Sequence, residues 1–377
     1  MKLILKIFSF LLLSFYISIN AQKIPDDSLM KKANAQIYDN PDNTIKIAKD
    51  LLKKENDINK SIKIYTMLST ANIAKRNFDE SLKYILKAKE LAQKTNDPKI
   101  QTRVLISIAI QYQQMELFSK SLETLNEADV YLAKIPENVP EKHSETAISN
   151  AIQGMIYRSQ LNPELALQKF LIALENFEKV PLKKTTYANM SVVYYNIGYC
   201  YLNLNQIDKA QEVFSQSIDY AQKNNAKSLE AFALKGMAEM HKLKREHQIA
   251  ITLLQQAEDL SKNTGDIILN QGIYKEMADN YLALGKQNLY QLYNKKYFEM
   301  RFQRRQNELT SINHVIDNHN KDTALKNKEI KSYYIRLMII STVVGCILVS
   351  VLLYLIIRIR KQNNKHQKEI QQIIRTS

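Results

Sequence analysis

Residues 194–217 read YYNIGYCYLNLNQIDKAQEVFSQS, and this stretch decides the fold. At helical periodicity Tyr194, Ile197, Gly198 and Tyr201 share one face of a first helix, and Ala210, Phe214 and Ser217 share one face of a second. Small residues at the contact let two antiparallel helices approach closely, and the large residues fill the gaps beside them. One such pair cannot bury its own apolar face, so the pattern requires neighbours stacked against it.

The chain supplies those neighbours. Tyr65, Leu68, Ser81, Ile85 and Ala88 hold equivalent places, followed by Leu105, Ala109, Tyr112, Ser121, Leu125 and Ala128. Gly154, Tyr157, Ala166, Phe170 and Ala173 make the next copy, and Leu234, Ala238, His241, Ala250, Leu254 and Ala257 follow the clearest one. In a last copy Ala278 and Tyr281 are followed by Tyr290, Asn294 and Tyr297 in place of small and apolar residues. A degenerate first copy spans 28–55, with Ile45, Ala48 and Leu51 on its second helix. These residue classes at these offsets resemble the tetratricopeptide repeat, which implies an all-α superhelix of antiparallel helix pairs that binds other proteins. Successive Ala88, Ala128, Ala173, Ser217 and Ala257 lie 40, 45, 44 and 40 residues apart, longer than the usual ~34. The chain has no Trp, and Tyr65 and Tyr194 stand where the family favours it.

Breakers agree. The seven prolines (Pro25, Pro41, Pro98, Pro136, Pro140, Pro163, Pro181) fall between expected helices or at a helix start, where a missing N–H costs least. Seven glycines in 377 residues leave little material for hairpins or phosphate loops. The expected array covers 22–297.

Residues 1–21 read as a secretory signal peptide: Lys2 and Lys6, an apolar run over 7–19, then Asn20-Ala21. Residues 337–357 carry no charge and are long enough for a transmembrane helix across a ~30 Å hydrocarbon core. Tyr333, Tyr334 and Arg336 flank one end, and Arg358, Arg360 and Lys361 the other. The expected topology places the repeats in the periplasm, the span in the inner membrane and a basic tail, 358–377, in the cytoplasm. Cys200 lies on a repeat helix and Cys346 in the span, so the two do not pair. The net charge of +15 is scattered over lysine-rich helix faces apart from the tail's six Lys/Arg against Glu369. An exported array meets no nucleic acid, and anionic headgroups suit the tail better.

Residues 298–336 form the expected connecting helix. Leu309, Ile312, Ile316, His319 and Thr323 alternate three- and four-residue steps, the spacing of a coiled-coil seam through which two copies form a homodimer. The other reading is a cap folded back on the last repeat, favoured by Tyr290, Tyr293, Tyr297 and Phe298. Signal, repeats, connecting helix, span and basic helix together resemble bacterial membrane-bound regulators. In those, the last helix leads into an AraC-type or LuxR-type helix-turn-helix domain or a histidine kinase. Twenty residues after the span provide no helix-turn-helix. The expectation is therefore a sensor or adaptor acting through a separate partner. The sensor half of a helix-turn-helix regulator, or a structural scaffold of the envelope, remain as alternatives.

No G-x-S-x-G, H-E-x-x-H or Walker-type loop occurs, and the spacing of the six histidines does not bring two rings to one helix face for a metal. No catalytic residue, cofactor or metal is expected. The expected site is the groove lined by first helices, with Arg103, Gln113, Arg158, Tyr195, Tyr199, Asn203, Lys235, Lys242 and Lys275 facing it. Such side chains suit an extended peptide or an acidic C-terminus.

Overall fold

The computed structural model describes residues 26–38 and 40–376, by backbone alone at 310–327, 329, 369 and 371–376. The signal-peptide segment and Pro25 lie outside the described residues. The described residues contain helices and turns and no strand. Helices pair in order: α1 (Asp26–Ala35) with α2 (Pro41–Leu52), α3 (Ile58–Ala74) with α4 (Phe78–Gln93), α5 (Pro98–Gln114) with α6 (Phe118–Leu132) and α7 (Pro140–Ser159) with α8 (Pro163–Glu178). Then come α9 (Lys184–Asn203) with α10 (Ile207–Lys223), α11 (Lys227–Leu243) with α12 (His247–Ser261), and α13 (Ile267–Ala283), followed by α14 (Gln287–Thr376). The chain divides into two compact units between Val315 and Ile316.

Local chemistry starts these helices where they begin. Asn40, Asp57, Asn77, Asp97, Asn162 and Asp266 each accept a backbone N–H of the following turn, and Pro41, Pro98, Pro140 and Pro163 occupy first turns. From α3 onward the chain reverses after each first helix through one residue of positive φ: Arg76, Glu116, Leu161, Asn205, Arg245 and Gly285. Two backbone bonds close each reversal; Leu161 N–H donates to Arg158 O at 3.1 Å and Asn162 N–H to Tyr157 O at 3.0 Å. Leu161 holds φ 59° with its side chain 84% exposed, so it carries left-handed strain without packing to offset it. Leu161→Gly is expected to raise the unfolding free energy by about 1 kcal/mol, read from the urea midpoint.

The repeat positions pack as their spacing requires. Phe214 is fully buried, with its ring against α9 at Gly198 and α11 at Gly236. A Cβ at Gly198 would lie 2.5 Å from that ring, and one at Gly154 2.7 Å from Phe170. Where serine replaces alanine, its hydroxyl ties the helices as well. Ser81 Oγ donates to Ser69 O at 2.9 Å, Ser121 Oγ to Ala109 O at 2.7 Å and Ser217 Oγ to Ser191 O at 2.8 Å. Gly236→Val is expected to cost about 1–3 kcal/mol, because a buried ring wedged between two helices cannot withdraw; an unchanged denaturation curve would refute it.

The array also meets itself. The Pro41 ring lies 3.4 Å from the Cβ position of Gly265, so the α1–α2 turn rests on the α12–α13 turn. Farther along, α14 reaches the α3–α4 turn, where Asn307 Nδ2 donates to Lys75 O at 3.4 Å and Arg76 Nε to Glu308 Oε1 at 2.8 Å. Tyr290, Tyr293 and Tyr297 are half-buried as expected of a cap, with Tyr293 stacked on Tyr281 at 5.4 Å. Phe298 departs from the capping expectation: it is 52% exposed, because the helix turns that position away from the array. Within α14, Ile330–Lys368 is long and apolar enough to cross a membrane.

Candidate functional site

Curvature places the site. Successive first helices approach one another (α3 with α5, α5 with α7, α7 with α9, α9 with α11, α11 with α13), while each second helix packs between first helices. The first-helix layer is therefore the inner one, and its open face is concave.

The expected groove residues lie on these first helices, and most are tied to the next one. On α5, Arg103 Nε donates to Glu145 of α7 at 3.0 Å, and Gln113 accepts from neighbouring Gln114 at 2.9 Å. On α7, Arg158 lies over the Tyr199 ring of α9 at 5.3 Å. Tyr195 and Tyr199 meet edge to face at 4.9 Å, and Tyr195 meets Phe232 of α11 at 5.5 Å. The Tyr199 hydroxyl donates to Glu239 at 2.7 Å and accepts from Lys235 Nζ at 2.9 Å, while Lys235 also pairs with Glu239. Lys242 pairs with Glu276 of α13 and reaches Asp279 at 3.4 Å, and Lys275 binds Asp279 at 2.8 Å. Asn203 stands exposed at the end of α9.

The structure thus joins Arg158, Tyr195, Tyr199 and Lys235 into one cluster and Lys242 with Lys275 into a second. Arg103, Gln113 and Asn203 stand apart from both. Burial, then the neighbouring Tyr195 and Glu239, push the Tyr199 phenol well above its ordinary pKa, so it stays a donor. Burial works against the Lys235 charge, yet Tyr195, Glu239 and Glu276 outweigh it and raise its pKa. Burial alone pushes the Cys200 thiol up to about 11 despite Arg158 nearby, which leaves it unreactive.

Sequence reasoning missed the acids. Glu145, Glu239, Glu276 and Asp279 neutralise the groove's cations, and Phe232 extends its aromatic floor. Glu239 sits four residues after Lys235 and Asp279 four after Lys275, a helical ion-pair spacing that signals two of these pairs. Nothing local signals the cross-repeat pairs. Glu258 of α12 accepts from Tyr293 and Lys296 of α14, each at 3.0 Å.

Glu276 gives the site a pH signature. Burial, then the charge of Glu239, raise its pKa above the ordinary 4.5 despite Lys242. The native state then binds this proton more tightly than the unfolded chain does. Its contribution therefore falls as pH rises from 4.5 through the raised value. Glu276→Gln is expected to remove that part of the slope, so its urea midpoint drops less than wild type between acid and neutral pH. Parallel slopes would refute it.

The tetratricopeptide repeat family model matches residues 62–95 and 192–224. No curated protein matches the chain. The fold is similar to that of a Rap protein complexed with competence and sporulation factor, at 15% identity and TM-score 0.57, covering 85% of this chain and 87% of that one. It is also similar to NprR in complex with its cognate peptide NprX, at 14% identity and TM-score 0.54, covering 85% of this chain and 94% of that one. This chain therefore contains tetratricopeptide repeats, matched at 62–95 and 192–224, within a series of packed helix pairs.

Proposed function

We propose that the array binds an extended peptide or protein segment in its concave groove and acts as a membrane-anchored sensor or adaptor. The observation that carries this is the half-buried aromatic floor of Tyr195, Tyr199 and Phe232, set on the inner helix layer between charged residues. Aromatic side chains offer apolar area to alternate residues of a peptide, and the flanking charges orient its backbone and ends. Two proteins of this fold have been crystallised with a factor or a peptide, which supports peptide binding as the reading here. The site binds rather than catalyses. In this reading the repeats face the periplasm, 337–357 crosses the inner membrane and two copies pair through 298–336. Ligand binding shifts that paired helix toward a partner on the tail.

The test is a photo-reactive amino acid at Tyr195 in the full chain, with Lys209 on the convex face as control. A covalent adduct from Tyr195 alone is expected. Equal adducts from both positions, or none from Tyr195, would overturn the groove. Protease digestion of cells with an opened outer membrane tests topology: repeats degraded and tail protected is the expected result.

A further inference from the structure

The helix α14 carries a second apolar face. Its array-facing side holds Tyr293, Lys296, Asn307 and Glu308, which meet α12, α13 and the α3–α4 turn. At 100° per residue, Phe298, Phe302, Arg305 and Leu309 lie on the opposite side. Phe298 is 52% exposed, Phe302 66% and Leu309 59%. Two phenylalanines open to solvent on one face are unusual, since a single chain gains nothing by leaving them there.

The spacing of these residues names what covers them. Phe298, Phe302, Arg305 and Leu309 step by four, three and four, and run without a break into Ile312, Ile316, His319 and Thr323. The coiled-coil register therefore begins at Phe298, about three helical turns earlier than Leu309. A sustained heptad spacing of mostly apolar residues is the signature of a helix pairing with a like helix. Two copies anchored in one membrane present this face to each other in parallel and in register.

Area decides how far the seam runs. At about 200 Å² per phenylalanine, the exposed parts of Phe298 and Phe302 supply on the order of 500 Å² in two copies, against the ~1,200 Å² of a stable interface. Leu309, 59% exposed, adds to this area, and the same spacing continues in the sequence to Ile312 and Ile316. We infer that Phe298, Phe302, Arg305 and Leu309 form the membrane-distal half of a parallel homodimer seam, with a second copy of this chain as the occupant. Arg305 sets two like charges against each other within it, which weakens the pair and fixes its register.

This surface rests on the pairing through 298–336 proposed above and is independent of what the groove binds. The experiment is thiol cross-linking of the full chain in its own membranes, in a Cys346→Ser background. Phe302→Cys and Leu309→Cys are expected to oxidise to a covalent dimer. Gln303→Cys, exposed beside the seam, is expected to stay monomeric. In detergent, Phe298→Ser with Phe302→Ser should weaken the dimer at least about tenfold, and Arg305→Leu should tighten it. No covalent dimer at 302 and 309, or as much at 303, would overturn the seam. An adduct at Tyr195 persisting in that case would leave the groove standing.

Discussion

Phe214→Ala is expected to lower the unfolding free energy by about 3–5 kcal/mol. Phe214 is fully buried, and its ring fills the space that the missing side chains of Gly198 and Gly236 leave between α9 and α11. It also meets Tyr199 edge to face at 5.5 Å and Tyr195 at 6.4 Å, so it supports the aromatic floor of the groove from behind. Truncation leaves a cavity that two helices held apart by other side chains cannot close. In a repeat array each unit leans mainly on its neighbours, so the loss should split a single unfolding transition around the α9–α11 junction. The adduct at Tyr195 should weaken in parallel. Urea denaturation followed by circular dichroism measures it, and a loss below about 1 kcal/mol would mean that the helices collapse onto the space.

Glu308→Ala should cost nearly as much, for a different reason. Arg76 has only 7% of its side chain exposed and Glu308 16%. Arg76 also donates to Gln114 Oε1 at 3.2 Å and Gln114 O at 3.3 Å, and its guanidinium lies over Phe78 at 4.4 Å. Burial pulls the Arg76 pKa down more strongly than Glu308 raises it, so the pair adds little net stability while whole. Removing the acid is another matter, since it strands a buried cation; about 3–5 kcal/mol is expected. The effect should be local. Residues 297–309 should become more open to protease and to hydrogen exchange, while α5–α10 keep their protection. Arg76→Ala added to Glu308→Ala should recover part of the loss, a non-additivity that a double-mutant cycle reads directly. Strict additivity would mean that the two side chains do not hold α14 to the α3–α4 turn.

The amino-acid sequence by itself determined the helix pairs, their period and their contact faces. Gly154 with Phe170 and Gly198 with Phe214 follow from spacing, because one helix turn and one short reversal bring those residues together. The caps and first-turn prolines are legible for the same reason, and so is the inner layer that carries Arg158, Tyr195, Tyr199 and Lys235. Only the tertiary structure decided what those groove residues touch. Gly236 serves the Phe214 of the preceding repeat, Glu276 answers Lys242 on the first helix of the preceding repeat, and Glu308 meets Arg76 from 232 residues away. It also turned Phe298 outward, from cap to open face. Each of these contacts depends on the small rotation between one repeat and the next, summed along the superhelix. Side chains from many parts of the chain set that rotation, and no local spacing records it.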